Sequence, residues 1–278
     1  MRGLADREAH QAIDLGFEAV AEIHRLMSFH ERGSDVARLN DLAFASPVVV
    51  DLRTLEVLRQ AQAFSAASDG AFDITVAPRL VAGGRLPPPG GTGPESGASW
   101  RDIELLGDGR VRFGRKLWID LGGIAKGYAV DHAMERMALD PERVDVVVNA
   151  GGDLRVAGPA EELILLRGAP GAAGDTASAP AIRLHAGALA SSSARAEDRA
   201  GAPSAGVADA PTHVDGRTGE TMGEHSFVTV VAPRCSTADA LTKVVMALGR
   251  NADCVVRQYQ AGAWLCDEGG WHSLGTGI

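Results

Sequence analysis

Two glycine pairs, each at the end of an apolar run, mark the residues whose types and spacing suit chemistry. The pair 122–123 stands between Asp120 and Lys126, and the pair 151–152 is followed by Asp153. Glycine has no Cβ, so its backbone approaches a ligand closely, and a helix that opens beside it presents free N–H groups. A carboxylate and a lysine beside such a turn predict a site for a polar, phosphorylated ligand.

The pattern does not identify the class of that ligand. The glycines are adjacent and no Gly-Lys-Ser or Gly-Lys-Thr follows them, so neither the P-loop nor the dinucleotide fingerprint is present. The alternative is a tight strand-to-helix turn in which Asp120 caps the helix and Lys126 is solvated. Under that alternative the glycine turns are structural and the chain needs no such ligand.

Two further segments place polar residues in unusual surroundings. Asp73 lies in the apolar, strand-like run 70–76, and it needs a partner because an unpaired buried carboxylate is costly. It either caps a neighbouring helix or accepts a hydrogen bond from an adenine or a ribose. His213 precedes the turn 215–219, where it is either a general base near neutral pH or an exposed loop side chain.

The segment 236–243 offers a carboxylate and a hydroxyl on one face of a predicted helix. Asp239, Thr242 and Lys243 are spaced i, i+3 and i+4, so they lie on the same side. Oxygen ligands of this kind suit a hard cation such as Mg²⁺, whereas the ammonium of Lys243 competes with it. The alternative is structural, with a capping box of Ser236 and Asp239 and an Asp239–Lys243 surface pair.

Composition excludes several classes of protein. The 278 residues carry a net charge of −9, without a basic cluster and with only 5% aromatic residues, so no nucleic-acid partner is expected. Three cysteines without a Cys-x-x-Cys pair give no basis for a zinc cluster or a redox dithiol. No segment approaches the roughly 18 apolar residues that a membrane-spanning helix needs.

The first 26 residues contain acids and two histidines among their apolar positions. A signal peptide has an uninterrupted apolar core, which this segment lacks. As written, the chain is expected in the cytoplasm. If a leader has been removed, the expectation changes to a periplasmic or membrane-anchored protein.

Apolar spacing predicts helices joined to short, hairpin-linked strands. The predicted helices cover 7–28, 36–39, 54–67, 125–137 and 236–248, and the predicted strands cover 48–50, 103–105, 111–113, 117–119, 144–149, 154–156, 255–259 and 263–266. Without regular β-α-β alternation, these elements predict the α+β class, with mostly antiparallel sheets and packed helices. We expect a single domain over 1–278, with flexible loops near 83–99, 168–180 and 196–211.

Taken in order, seven segments of the chain resemble the ApbE flavin transferases. They cover residues 27–30, 34–40, 70–78, 119–131, 149–153, 215–219 and 238–249. The resemblance implies a two-lobed α+β unit that moves FMN from FAD to a Thr or Ser hydroxyl of an acceptor protein. It also implies release of AMP and a bound Mg²⁺.

The resemblance further implies a set of site residues. The residues that would contact FAD are His30, Ala71, Phe72, Asp73, Asp120 and Lys126. Gly123 would lend its carbonyl and Asp239 its carboxylate to the magnesium. His213 or Asp215 would act as the base for the attacking hydroxyl.

The sequence departs from the family's pattern at positions that matter for this chemistry. Lys243 stands where the family has a threonine metal ligand, which leaves the neighbouring Thr242 as the substitute. His213 lies two residues before Asp215 instead of three, and Gly216 replaces a proline. An ammonium at 243 either repels Mg²⁺ or stands in for it. Two functions therefore stay open, a working transferase and an FAD-binding protein with weak or no transferase activity because Lys243 replaces the ligand threonine.

Overall fold

The computed structural model describes residues 1–90, 92–166, 180–193, 213–222, 227–267 and 269–275. Most of the loops expected near 168–180 and 196–211 therefore lie outside the described residues, and the segment 83–99 holds no helix or strand where it is described. The described residues fall into two compact units. The first unit comprises those within 1–22, 126–193 and 225–278, and the second unit those within 23–125 and 194–224.

The secondary structure mixes helices with short antiparallel strands. The helices are α1 (Asp6–Met27), α2 (Asp35–Leu42), α3 (Leu52–Ala67), α4 (Ala77–Ala82), α5 (Ala125–Met137), α6 (Cys235–Leu248) and α7 (Asp253–Gln258). The strands are β1 (Val48–Val49), β2 (Ile103–Leu105), β3 (Arg110–Phe113), β4 (Val146–Ala150), β5 (Asp153–Ala157), β6 (Glu162–Leu165), β7 (Ala181–Leu184), β8 (Gly187–Ser193), β9 (Phe227–Ala232), β10 (Gly262–Asp267) and β11 (Gly270–Gly275). Every pairing between the described strands is antiparallel.

The first unit is built on a sheet whose described strands run in the order β11-β10-β9-β8-β5-β4. Helix α6 packs on β8 and β9, which explains why β9 is buried along almost its whole length. Strands β6 and β7 pair separately as a hairpin-like ribbon. A helix covering an antiparallel sheet confirms the predicted α+β class.

The buried carboxylate of Asp131 on α5 fixes the start of α6. It accepts hydrogen bonds from the backbone N–H groups of Cys235 and Ser236, both at 3.0 Å, and Arg155 pairs with it at 2.9 Å. These N–H groups have no partner inside the helix, so an acid from another element can cap them. The expected capping box of Ser236 and Asp239 is not what holds this terminus, and Asp239 is free to face elsewhere.

The second unit contains a small sheet with the order β1-β3-β2 and helices α2, α3 and α4. Ser34 caps α2, since its hydroxyl accepts from the N–H of Ala37 at 3.0 Å. The strand expected over 117–119 is wrong. These residues belong to no sheet ladder, because the side chain of Asn40 bonds both backbone groups of Ile119.

The strand expected over 255–259 and the strand-like run 70–76 are also wrong, since the first is largely helical and the second partly so. Residues 253–258 form α7, where Asp253 and Arg257 pair at 2.7 Å with i, i+4 spacing. The run 70–76 ends in a 3-10 turn, Ile74–Val76, because Asp73 caps it by accepting from the N–H of Thr75 at 2.8 Å. Short apolar runs do not distinguish a strand from a buried helix by periodicity alone.

Candidate functional site

Two lysine and two aspartate side chains meet in the first unit. We call these residues the charged cluster: Lys126, Asp153, Asp239 and Lys243. Lys126 lies in the first turn of α5, Asp153 opens β5, and the other two lie on successive turns of α6. The side chains of Asp153 and Asp239 are almost fully buried, whereas that of Lys126 is 52% exposed. Lys126 therefore joins two buried carboxylates to the accessible surface.

The carboxylate of Asp239 is the centre of the charged cluster. Lys126 donates to Asp153 and approaches the two oxygens of Asp239 at 3.3 and 3.4 Å. The ammonium of Lys243 donates to Asp239 Oδ1 and, at 3.1 Å, to the main-chain oxygen of the same residue. The N–H of Gly127 donates to Asp239 Oδ2 at 3.1 Å.

Burial and charge act in opposite directions on these groups. Burial alone would raise the pKa of Asp239, but Lys126 and Lys243 outweigh it and hold that pKa below its usual range. Burial, reinforced by the charge of Asp239, raises the pKa of Asp153. Burial alone would lower the pKa of Lys126, but the two carboxylates outweigh it and raise that pKa above its ordinary value. Burial, with the charge of Lys126, lowers the pKa of Lys243.

Gly127 allows the charged cluster to form. A Cβ at this position would lie 2.2 Å from the main-chain oxygen of Cys235, so helices α5 and α6 touch here through their backbones. That approach brings the N–H of Gly127 to Asp239. Neither Gly127 nor Asp153 was among the expected site residues, although both lie inside the segments that carried the resemblance. Their signal was the glycine that follows Lys126 and the acid that follows the pair 151–152.

The second unit brings the segments 71–73 and 215–219 together. The N–H of Gly216 donates to the main-chain oxygen of Ala71 at 3.2 Å. A Cβ at 216 would lie 2.3 Å from the oxygen of Gly70 and 2.5 Å from Cβ of Asp73. Glycine is therefore required where the family has proline, since proline has a Cβ and no N–H.

Asp73 and its neighbours are largely buried. Burial raises the pKa of Asp73, and hydrogen bonds from Thr75 oppose the rise. Ala71 is buried. The rings of Phe72 and Phe64 pack edge-on, with 5.9 Å between their centroids. Of the two expected roles for Asp73, the capping role is present in this structure.

The two expected base candidates, His213 and Asp215, differ in their surroundings. Arg217 donates to both carboxylate oxygens of Asp215, at 3.1 and 2.7 Å. Partial burial alone would raise the pKa of Asp215, but the bonds from Arg217 outweigh it and lower that pKa. His213 is buried, and its main-chain oxygen accepts from the N–H of Met222 at 3.0 Å.

The glycine turn before α5 also lies in the second unit. The N–H of Asp120 donates to the main-chain oxygen of Ile74 at 2.8 Å, which ties this turn to the segment containing Asp73. A Cβ on Gly122 would lie 2.9 Å from the carboxylate of Asp120, and Gly123 follows, half-buried. His30 is exposed, and its ring contacts Phe29 edge-on at 6.4 Å.

The model of the ApbE family matches residues 5–263. The chain belongs to the ApbE family. Two curated relatives are named FAD:protein FMN transferase, so the family includes transferases. The relative from Haemophilus influenzae is 26% identical over 250 residues, covering 83% of this chain and 70% of that protein. The relative from Vibrio cholerae is 28% identical over 167 residues, covering 56% of this chain and about half, 48%, of that protein.

Solved structures of ApbE proteins share the fold. The ApbE protein of Thermotoga maritima has a TM-score of 0.77 at 27% identity, covering 98% of this chain and 90% of its own. The apo flavinyl transferase ApbE of Pseudomonas stutzeri has a TM-score of 0.76 at 20% identity, covering 99% and 91%. At 20% identity, the similarity to the Pseudomonas stutzeri structure shows a shared fold only. In the described part of this ApbE chain, no helix is both long and apolar enough to cross a membrane.

The magnesium ligands that the family implies do not fit this chain. Thr242 Oγ1 donates to the main-chain oxygen of Asp239 at 2.7 Å and lies 2.8 Å from the hydroxyl of Ser192. The carboxylate of Asp239 already contacts two lysines and a backbone N–H. Among the described residues, no group of three or more His, Cys, Asp or Glu side chains is placed to hold a metal. Mg²⁺ binding through Gly123, Asp239 and Thr242 thus has no support in the donor set.

Proposed function

We propose that the chain is a transferase that moves FMN from FAD to a Thr or Ser hydroxyl of an acceptor protein and releases AMP. The observation that carries the proposal is the family match over residues 5–263, together with curated relatives named for this activity. The ordered motifs of the sequence point the same way.

The reaction exchanges one phosphorus–oxygen bond for another. The hydroxyl oxygen of the acceptor attacks the phosphorus of the FMN half, and a phosphodiester bond forms. The anhydride bond between the two phosphates breaks, and AMP leaves with the bridging oxygen and its electron pair. The hydroxyl proton passes to a base and then to solvent. Positively charged groups close to the phosphates favour this step, since negative charge spreads over the phosphate oxygens in the transition state.

Lys126 is the residue best suited to supply that charge. Its ammonium is partly exposed and is held protonated by Asp153 and Asp239. The two acids also fix its position, so little conformational freedom is lost when a phosphate binds. The proposed FAD contacts in the second unit are His30, Ala71, Phe72, Asp73 and Asp120.

His213 is a better candidate for the base than Asp215. A base must accept a proton near the working pH, and the two bonds from Arg217 lower the pKa of Asp215 and occupy its oxygens. A neutral imidazole is suited to the same task. We therefore assign the proton transfer to His213 and a structural role in the turn to Asp215.

A second candidate function is flavin binding with weak or no transfer. The contact of Lys243 with Asp239 supports it, because the ammonium occupies the carboxylate that the family's metal would use. Mg²⁺, when bound in the family, neutralises phosphate charge. The donor set of this chain does not fit that metal.

Incubation of the purified chain with FAD and candidate acceptor proteins tests the proposal. We expect a fluorescent acceptor band on a denaturing gel, an acceptor mass increased by one FMN group and release of an equal amount of AMP. The test includes acceptors that a known ApbE transferase labels. If the chain binds FAD but labels none of these acceptors, the second candidate function is favoured. Absence of both labelling and FAD binding contradicts both.

A further inference from the structure

The lone pairs of the Asp239 carboxylate are fully used within the charged cluster. A carboxylate offers about four acceptor positions. Oδ1 faces Lys243 and, at 3.3 Å, Lys126, whereas Oδ2 faces the N–H of Gly127 at 3.1 Å and Lys126 at 3.4 Å. A metal ligand needs an oxygen directed at the ion, and Mg²⁺ is strict about its octahedral geometry. No position on this carboxylate is left for it.

The charge balance leads to the same result. Two carboxylates and two ammonium groups make the charged cluster neutral as a set. Adding a divalent cation would leave a net charge of +2 among largely buried groups, which is costly without new partners. Without Lys243, the two acids and Lys126 would instead carry −1, and a cation would be favoured there.

From this balance we propose that the ammonium of Lys243 takes the place of a divalent cation at Asp239, so that ligand binding by this chain does not depend on metal. For the identity of the ligand, FAD, the inference rests on the proposed function. The fold supplies the cation at the spacing of one helical turn, four residues after Asp239. The main-chain oxygen of Asp239 accepts a second bond from it at 3.1 Å, which fixes the ammonium in place.

Mn²⁺ binding tests the inference without any flavin. Mn²⁺ suits the same oxygen ligands as Mg²⁺, and its free form is measured by electron paramagnetic resonance. The wild-type chain, Lys243→Thr and a matched control, Lys116→Thr, are compared at equal concentration after their circular dichroism confirms folding. We expect Lys243→Thr to bind Mn²⁺ at least about tenfold more tightly than the other two. Equal Mn²⁺ binding by the wild type and Lys243→Thr, whether both bind or neither does, overturns the inference.

FAD affinity gives a second readout that needs no variant, so it holds even if Lys243→Thr does not fold. The dissociation constant of the wild-type chain for FAD is measured with EDTA and with excess Mg²⁺. We expect the two values to agree, whereas a loss of about tenfold or more in EDTA overturns the inference. If FAD does not bind under either condition, the proposed function fails, and the Mn²⁺ comparison still decides the role of Lys243.

Discussion

The side chain of Asn40 makes the two hydrogen bonds with Ile119 that a neighbouring strand would otherwise make. Its amide nitrogen donates to the main-chain oxygen of Ile119 at 3.0 Å, and its amide oxygen accepts from the N–H of Ile119 at 2.8 Å. This pairing satisfies a buried backbone segment that belongs to no sheet. The next residue is Asp120, so α2 positions the glycine turn through one side chain.

Replacement of Asn40 by leucine should therefore destabilise the fold. The substitution leaves both backbone groups of buried Ile119 without partners, and each such group costs about 1–3 kcal/mol. We expect the urea midpoint of Asn40→Leu to fall clearly below that of the wild type. Asn251→Leu, at an exposed position, is the control and should change little. Equal midpoints for the two variants contradict this role of Asn40.

We expect the substitution Gly127→Ala to destabilise the fold of the first unit. The new Cβ would meet the main-chain oxygen of Cys235 at 2.2 Å, so α5 and α6 must move apart. We expect a loss of about 1–3 kcal/mol in the free energy of unfolding, typical of overpacking. Gly33→Ala, where nothing lies within 4 Å, serves as the control. A Gly127→Ala variant as stable as Gly33→Ala would show that the two helices do not touch there.

The Asp215–Arg217 contact predicts a pH-dependent contribution to stability. Because the pKa of Asp215 is lowered in the folded chain, its ionised form stabilises the fold above the ordinary carboxyl range. That contribution is lost as the pH falls through the lowered pKa. At neutral pH, we expect Asp215→Asn to be about 0.5–1.5 kcal/mol less stable than the wild type.

Urea unfolding of both proteins at several pH values measures this dependence. The difference should stay level from about pH 7 to about pH 5 and shrink from about pH 5 to about pH 2, because the stabilisation is lost only as the pH falls past the ordinary carboxyl range and through the lowered pKa of Asp215. A difference that stays constant over this range, or grows as the pH falls, argues against a stabilising Asp215 carboxylate.

Lys126→Met should weaken both FAD binding and transfer. It removes the partly exposed ammonium that the proposed function places at the phosphates, and it leaves Asp153 and Asp239 with one lysine. Loss of one charged contact to a developing negative charge typically costs about a hundredfold or more in rate. Lys116→Met is the matched control. Unchanged rates and FAD affinity in a folded Lys126→Met chain would exclude Lys126 from the site.

Long periodic segments of the sequence were sufficient to predict α1, α3, α5 and α6. Short apolar runs were not. Residues 117–119 form no strand, since Asn40 bonds the backbone of Ile119, and 253–258 form a helix. Which element a short apolar run pairs with depends on tertiary structure, so its own sequence does not predict it. The structure leaves the assigned roles of the site residues as predictions.

The sequence placed Lys243 beside Asp239 but left two interpretations of that neighbourhood open. The spacing placed both residues on one face of a helix. They were either part of a cation site or an ordinary ion pair on the helix surface. The structure instead has Asp239 fully buried, with Lys126 and Gly127 as further partners. That convergence depends on the close backbone approach at Gly127, which no local pattern encodes.

The most direct test of the account is equilibrium dialysis of the folded chain against FAD, once with EDTA and once with Mg²⁺. We expect the chain to retain about one FAD per molecule, with the same value under both conditions. If the chain retains no FAD in either condition while its circular dichroism is that of a folded α+β protein, the account is contradicted.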